Sequence, residues 1–110
     1  MPKVQLPYRF TSHGGFDFSY IFTQDGVLLK PAYEERSRSG RHGEDIYELP
    51  PGTYYAVIFT RANGPNKPVR VSYRRLMVSE IGVHSEEANE EELPGPVLLR
   101  ARAIYNRLIG

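Results

Sequence analysis

The sequence predicts a mainly β fold: an antiparallel β-sandwich of six or seven strands followed by one C-terminal amphipathic α-helix. Three observations carry that expectation. Residues 44–60, E-D-I-Y-E-L-P-P-G-T-Y-Y-A-V-I-F-T, read as two strands joined at a Pro-Pro-Gly corner, where Pro51 sets φ and Gly52 admits a positive φ. Residues 4–10, 16–22 and 69–73 alternate apolar or aromatic side chains with polar ones, the period of a half-buried strand. Residues 97–109 instead repeat apolar side chains at helical spacing. The 110 residues make one domain, able to bury about 65% of its unfolded surface without staples. Within it, residues 1–80 read as the sandwich, 81–95 as an acidic linker and 96–109 as the helix.

In chain order, Val4, Leu6, Tyr8 and Phe10 form one face of a first strand, and Pro7 argues for a sheet edge. Phe16, Phe18, Tyr20 and Phe22 follow on a second strand. It runs into Asp25-Gly26, a strong short hairpin signal, with residues 27–30 returning as its partner and Tyr33 onward extended. A basic loop, S-R-S-G-R-H-G, covers 37–43. Residues 53–60 are the most strand-like run, and Tyr54, Ala56 and Ile58 opposite Tyr55, Val57 and Phe59 predict a central strand covered on both faces. After a turn at 61–67, Val69, Val71 and Tyr73 alternate with Arg70, Ser72 and Arg74. The apolar face then shifts by one residue to Leu76 and Val78, which predicts a bulge at Arg74-Arg75. Residues 85–92 are acidic and read either as solvated linker or as one helical turn capped by Ser85. Pro96 suits a helix start, and Val97, Leu98, Ala101, Ile104, Tyr105 and Leu108 share one face of the helix after it. A helix this short needs a surface to pack on, either the sheet or another chain.

From residue 16 to 73 the order of features resembles the bacterial pre-peptidase C-terminal domain family, small β-sandwiches appended to secreted proteases. The residues that carry the resemblance are F-D-F-S-Y-I-F, T-Q-D-G-V-L-L, S-R-S-G-R-H-G, L-P-P-G-T-Y-Y-A-V-I-F and N-G-P-N-K-P-V-R-V-S-Y, about half of the chain. The resemblance implies a β-sandwich that binds or packs against something, and it carries over no site residue. The amphipathic C-terminal helix departs from the family pattern. The L-P-x-G-x-Y element recurs in other sandwich families, where the tyrosine ties a strand to its corner.

Composition removes several chemistries. With no cysteine there is no disulfide, zinc-thiolate site or thiol nucleophile, and a cytoplasmic address fits that absence. No run reaches signal-peptide or membrane-span character, so no membrane contact is expected. His13, His42 and His84 sit in no catalytic motif, and no phosphate-binding or dinucleotide fingerprint is present, so no enzyme, metal or cofactor is expected. His42, Glu44 and Asp45 form at most a nonspecific imidazole-carboxylate set.

The net charge is +1, but five of the thirteen acids fall in residues 86–92, and arginine outnumbers lysine eleven to three. The leading functional expectation is a non-catalytic interaction module. It would bind a protein partner or itself, as a homodimer, through a sheet edge and the helix face of Leu98, Ala101, Tyr105 and Leu108. The alternative is nucleic-acid binding by Arg36, Arg38, Arg41, Arg70, Arg74 and Arg75, with Tyr73 stacking on bases. That reading requires the two arginine clusters to share one face. The same arginines also fit a solvated face with cross-strand ion pairs, such as Glu48 with an arginine of 70–75. A third reading, a small enzyme or sugar-binding module, would build its site from loops 11–15, 36–45 and 61–67.

Overall fold

A computed structural model describes residues 4–11, 15–36, 42–62 and 68–109, with side chains over 18–34, 43–61 and 68–109. The strands in chain order are β1 (Val4–Thr11), β2 (Gly15–Thr23), β3 (Tyr33–Arg36), β4 (His42–Leu49), β5 (Gly52–Ala62), β6 (Val69–Ser79) and β7 (Gly82–Ala88). A single 3-10 turn at Glu90–Glu92 and the helix α1 (Gly95–Ile109) complete the chain. All pairings are antiparallel, in a three-stranded sheet β1-β4-β3 and a four-stranded sheet β2-β5-β6-β7. The mainly β class with a C-terminal helix is thus as expected.

The corner at residues 49–52 passes the chain from the small sheet to the large one. The Tyr54 hydroxyl donates to the Pro50 carbonyl at 2.7 Å, tying β5 to the turn that precedes it. Burial pushes the Tyr54 phenol above its ordinary range, because the charged form would lose solvation.

Strand β5 is central and apolar on both faces. Tyr55, Val57 and Phe59 share a face with Phe22 of β2 and, with Val97, Ala101 and Ile104 of α1, form one core cluster. Tyr20 and Tyr105 flank Phe59, with ring centroids at 5.9 Å and 6.5 Å. On the opposite face Tyr54 and Ala56 join Ile21, Leu76 and Val78, and this half is covered by Tyr47 and Leu49 of β4. Among the described residues, those two side chains make the buried contact between the sheets.

That arrangement corrects the expected bulge. The register from Gly52↔Val78 to Arg61↔Val69 is continuous through Arg74 and Arg75, so no residue is inserted. The apolar face of β6 switches because its cover switches. Val69, Val71 and Tyr73 lie under the helix, whereas Leu76 and Val78 lie under β4.

The hairpin signal at Asp25-Gly26 is realised as a turn. Gly26 sits at φ 80°, and its N–H donates to the Thr23 carbonyl at 3.0 Å. A Cβ there would stand 2.8 Å from the Pro96 carbonyl oxygen, so the glycine is required both by its backbone and by the approach of α1. The return strand expected over 27–30 shrinks to one bridge, Phe22↔Leu28. The chain crosses instead to the other sheet, where the Ala32 N–H donates to the Ile46 carbonyl at 2.7 Å.

The stretch read as a linker over 81–95 is corrected as well. It holds β7, paired with β6 from Tyr73↔Ala88 to Ser79↔Gly82. Ser85 therefore lies in a strand and caps nothing; Asn89 opens the 3-10 turn, its N–H bonded to the Glu92 carboxylate at 3.1 Å. Acidic residues form a strand here because basic residues stand opposite them on β6. The helix end is held from the sheet, where the Arg61 guanidinium on β5 donates to the Leu108 carbonyl.

Candidate functional site

The expected helix interface is turned inward. Ala101 is 1% exposed in the core, and Leu98, Tyr105 and Leu108 pack against the same cluster. These four side chains hold α1 on its own sheet, and the other side of the helix faces outward. That side carries Leu99, Arg100, Arg102, Asn106 and Arg107, all exposed.

The arginines of β6 do not form one surface. Arg38, Arg41 and the side chain of Arg36 lie outside the described residues. On β6, Arg70 and Arg74 stand on the face opposite Arg75 and Tyr73, as strand alternation dictates. The Arg74 Nε donates to the Ser85 hydroxyl at 2.6 Å, and its Nη1 lies 3.8 Å from Glu87. Arg75 bonds Glu86 at 2.5 Å, and Glu86 also meets the His84 ring nitrogen at 3.1 Å. The cross-strand ion pairs thus come from β7 and not from Glu48, which the sequence offered.

These contacts shift ionisation. The hydrogen bonds from Arg75 and then His84 hold the Glu86 carboxyl below its usual range. The bond to Glu86 raises Arg75 further. The Tyr73 hydroxyl donates to Glu90 at 2.9 Å; burial first, then that bond, pushes its pKa up to about 12.

His13 and the side chain of His42 lie outside the described residues, as do most of loops 11–15, 36–45 and 61–67. Among the described residues no group of three or more metal-ligating side chains comes together. No helix there is long and apolar enough to cross a membrane.

Two features remain that the sequence did not single out. One is a groove of about 470 Å³ between the 23–28 turn and the start of α1, lined by Asp25, Val27, Leu28, Pro96, Leu99 and Arg100. Val27, Leu28 and Leu99 are 57%, 48% and 69% exposed, a cluster of apolar side chains facing solvent.

The second feature is the outer edge of β2. The Leu29 N–H donates to the Ile21 carbonyl at 2.8 Å, and the Thr23 N–H donates to the Val27 carbonyl at 3.0 Å. Odd-numbered residues of β2 therefore turn their main-chain groups away from β5. Residues 21–23 spend theirs on the returning chain. Below them, among the described residues, no strand pairs with the outward groups of Asp17 and Ser19. No proline, lysine or arginine interrupts G-F-D-F-S-Y-I-F-T. Phe18, on the helix side of this edge, is 37% exposed.

Comparison with family models, with curated proteins and with solved structures found no match. The functional reading therefore rests on the surface itself.

Proposed function

We propose that the chain is a non-catalytic interaction module that takes up an extended segment of a protein, from a partner or from itself, along the open edge of β2. The observation that carries this reading is the half-used ladder, closed at residues 21–23 and, among the described residues, open at 17–19. Main-chain hydrogen bonds at such an edge provide affinity, and the flanking side chains provide selectivity. The groove of Val27, Leu28 and Leu99 lies at the closed end of the same edge and extends it with apolar surface. α1 takes part through its outer side, since its inner side is spent on the sheet. The likeness of residues 16–73 to a protease-appended sandwich is compatible with such a module, and the cysteine-free chain suits the cytoplasm.

Nucleic-acid binding is the weaker reading. Arg75 and Arg74 face opposite ways, and each has an acidic neighbour on β7.

The test is an NMR titration of the dilute protein with a synthetic peptide of the β2 sequence, F-D-F-S-Y. The amides of Asp17 and Ser19 are expected to shift, and a Ser19→Pro variant to lose the response. Shifts confined to other parts of the chain would overturn the reading.

A further inference from the structure

Resting on the open-edge reading, we infer that the segment captured is β2 of a second copy, joined antiparallel about a two-fold axis at Phe18 so that two four-stranded sheets become one of eight strands. The register follows from which main-chain groups are open and which are taken. Only odd-numbered residues of β2 point outward, so a symmetric pairing must place odd residues opposite odd residues. The two-fold must therefore pass through a residue, and three positions keep both Asp17 and Ser19 opposite residues 15–21 of the second copy.

Centring on Ser19 sets Asp17 of one chain opposite Ile21 of the other. That place is filled, because the Leu29 N–H already occupies the Ile21 carbonyl. Centring on Asp17 sets two carboxylate residues directly opposite each other, which opposes pairing. Centring on Phe18 sets Asp17 opposite Ser19 twice, and each such pair exchanges two main-chain hydrogen bonds. Phe16 then stands opposite Tyr20, and Phe18 opposite itself, in the closely spaced class of pair where aromatic residues interact best.

Two further observations agree with that centre. The Ser19 hydroxyl is buried and, among the described residues, has no hydrogen-bond partner; this register brings an acidic residue of the second copy opposite it. Phe18 faces the helix side of the sheet yet stays partly exposed, and the pairing buries it against its own copy. The returning chain at Leu28 and Leu29 sets the limit, since the second strand must end opposite Tyr20. Gly15 stands one residue beyond that point.

Because the chain has no cysteine, single substitutions read out the register without background. At a closely spaced antiparallel pair the Cα atoms are about 4.5 Å apart, within disulfide reach. Two Asp17 positions lie on a diagonal of about 7–8 Å, outside it. Phe18→Cys is expected to cross-link to a covalent dimer on mild oxidation, at least tenfold faster than Asp17→Cys. In sedimentation the unmodified chain is expected to reach twice the chain mass as concentration rises. Ser19→Pro removes an outward N–H, leaves the β2–β5 ladder intact and is expected to stay at one chain mass.

Faster cross-linking through Asp17 would overturn the register. A single-chain mass at every concentration, with no cross-linking through Phe18, would overturn the self-pairing. If the peptide still shifted the Ser19 amide in that case, the open edge would stand as a site for another protein's strand. Failure of both would remove the edge reading itself.

Discussion

The two edges of the large sheet are handled in opposite ways. β7 carries His84, Ser85, Glu86 and Glu87 in succession, and its neighbour β6 answers with Arg74 and Arg75. Charged side chains on an edge strand discourage a second chain from adding to it. β2 has one carboxylate in nine residues and is rich in phenylalanine. Among the described residues it is closed only where the turn at Gly26 brings Val27 and Leu29 back against residues 21–23. One edge is therefore closed by charge along its length and the other by hydrogen bonds at one end. The comparison separates an edge meant for solvent from an edge left able to pair.

The strongest way to break this contrast is to displace the turn. Gly26→Val puts a branched side chain at a positive φ and against the Pro96 carbonyl. We expect a loss of about 2–4 kcal/mol, measured by denaturant unfolding. Because the turn also shields the upper part of β2, the variant should associate more strongly than the parent chain at equal folded concentration. Removing the helix tether is next: Arg61→Met leaves the Leu108 carbonyl without its donor and should cost about 1 kcal/mol. Amide exchange in the last turn of α1 should quicken while that of β2 stays unchanged.

Smaller effects sharpen the charged edge. Glu86→Lys sets a cation beside Arg75 and should loosen β7, seen as faster exchange of its amides, with the difference shrinking in high salt. The pH dependence has two ends. Glu86 is held below its unfolded value of 4.5, so its contribution is present above that value and is lost as pH falls through the lower folded one. Tyr73 is raised from 10.0 to about 12, so its contribution is full below pH 10 and is lost between 10 and 12. Ultraviolet titration of the phenols should show a late-ionising group, Tyr73, that Glu90→Gln brings earlier.

Much of the fold was legible. The Pro-Pro-Gly corner, both faces of β5 and the helical spacing after Pro96 all reflect local chemistry that a sequence displays. The errors share another cause. The one-residue shift after Tyr73 read as a bulge because strand periodicity reports which face is covered and not by what; here the helix covers one half and β4 the other. Residues 82–88 read as linker because their stability comes from arginines across the ladder, a pairing no local window contains. A sharper signal was there: Glu86 and Glu87 mirror Arg75 and Arg74 across a two-residue turn at Glu80-Ile81. The candidate edge was hidden for a related reason. An aromatic strand looks like core from sequence, and only the short return of the 27–29 segment reveals that half of its outer ladder has no partner among the described residues.

The most direct measurement is a single titration of the dilute, labelled protein with the β2-sequence peptide, following the amides of both edges in the same spectra. The account predicts saturable shifts at Asp17 and Ser19, with the amides of β7 unmoved. Shifts at β7 with β2 silent would contradict it, because the charged edge would then be the one that pairs.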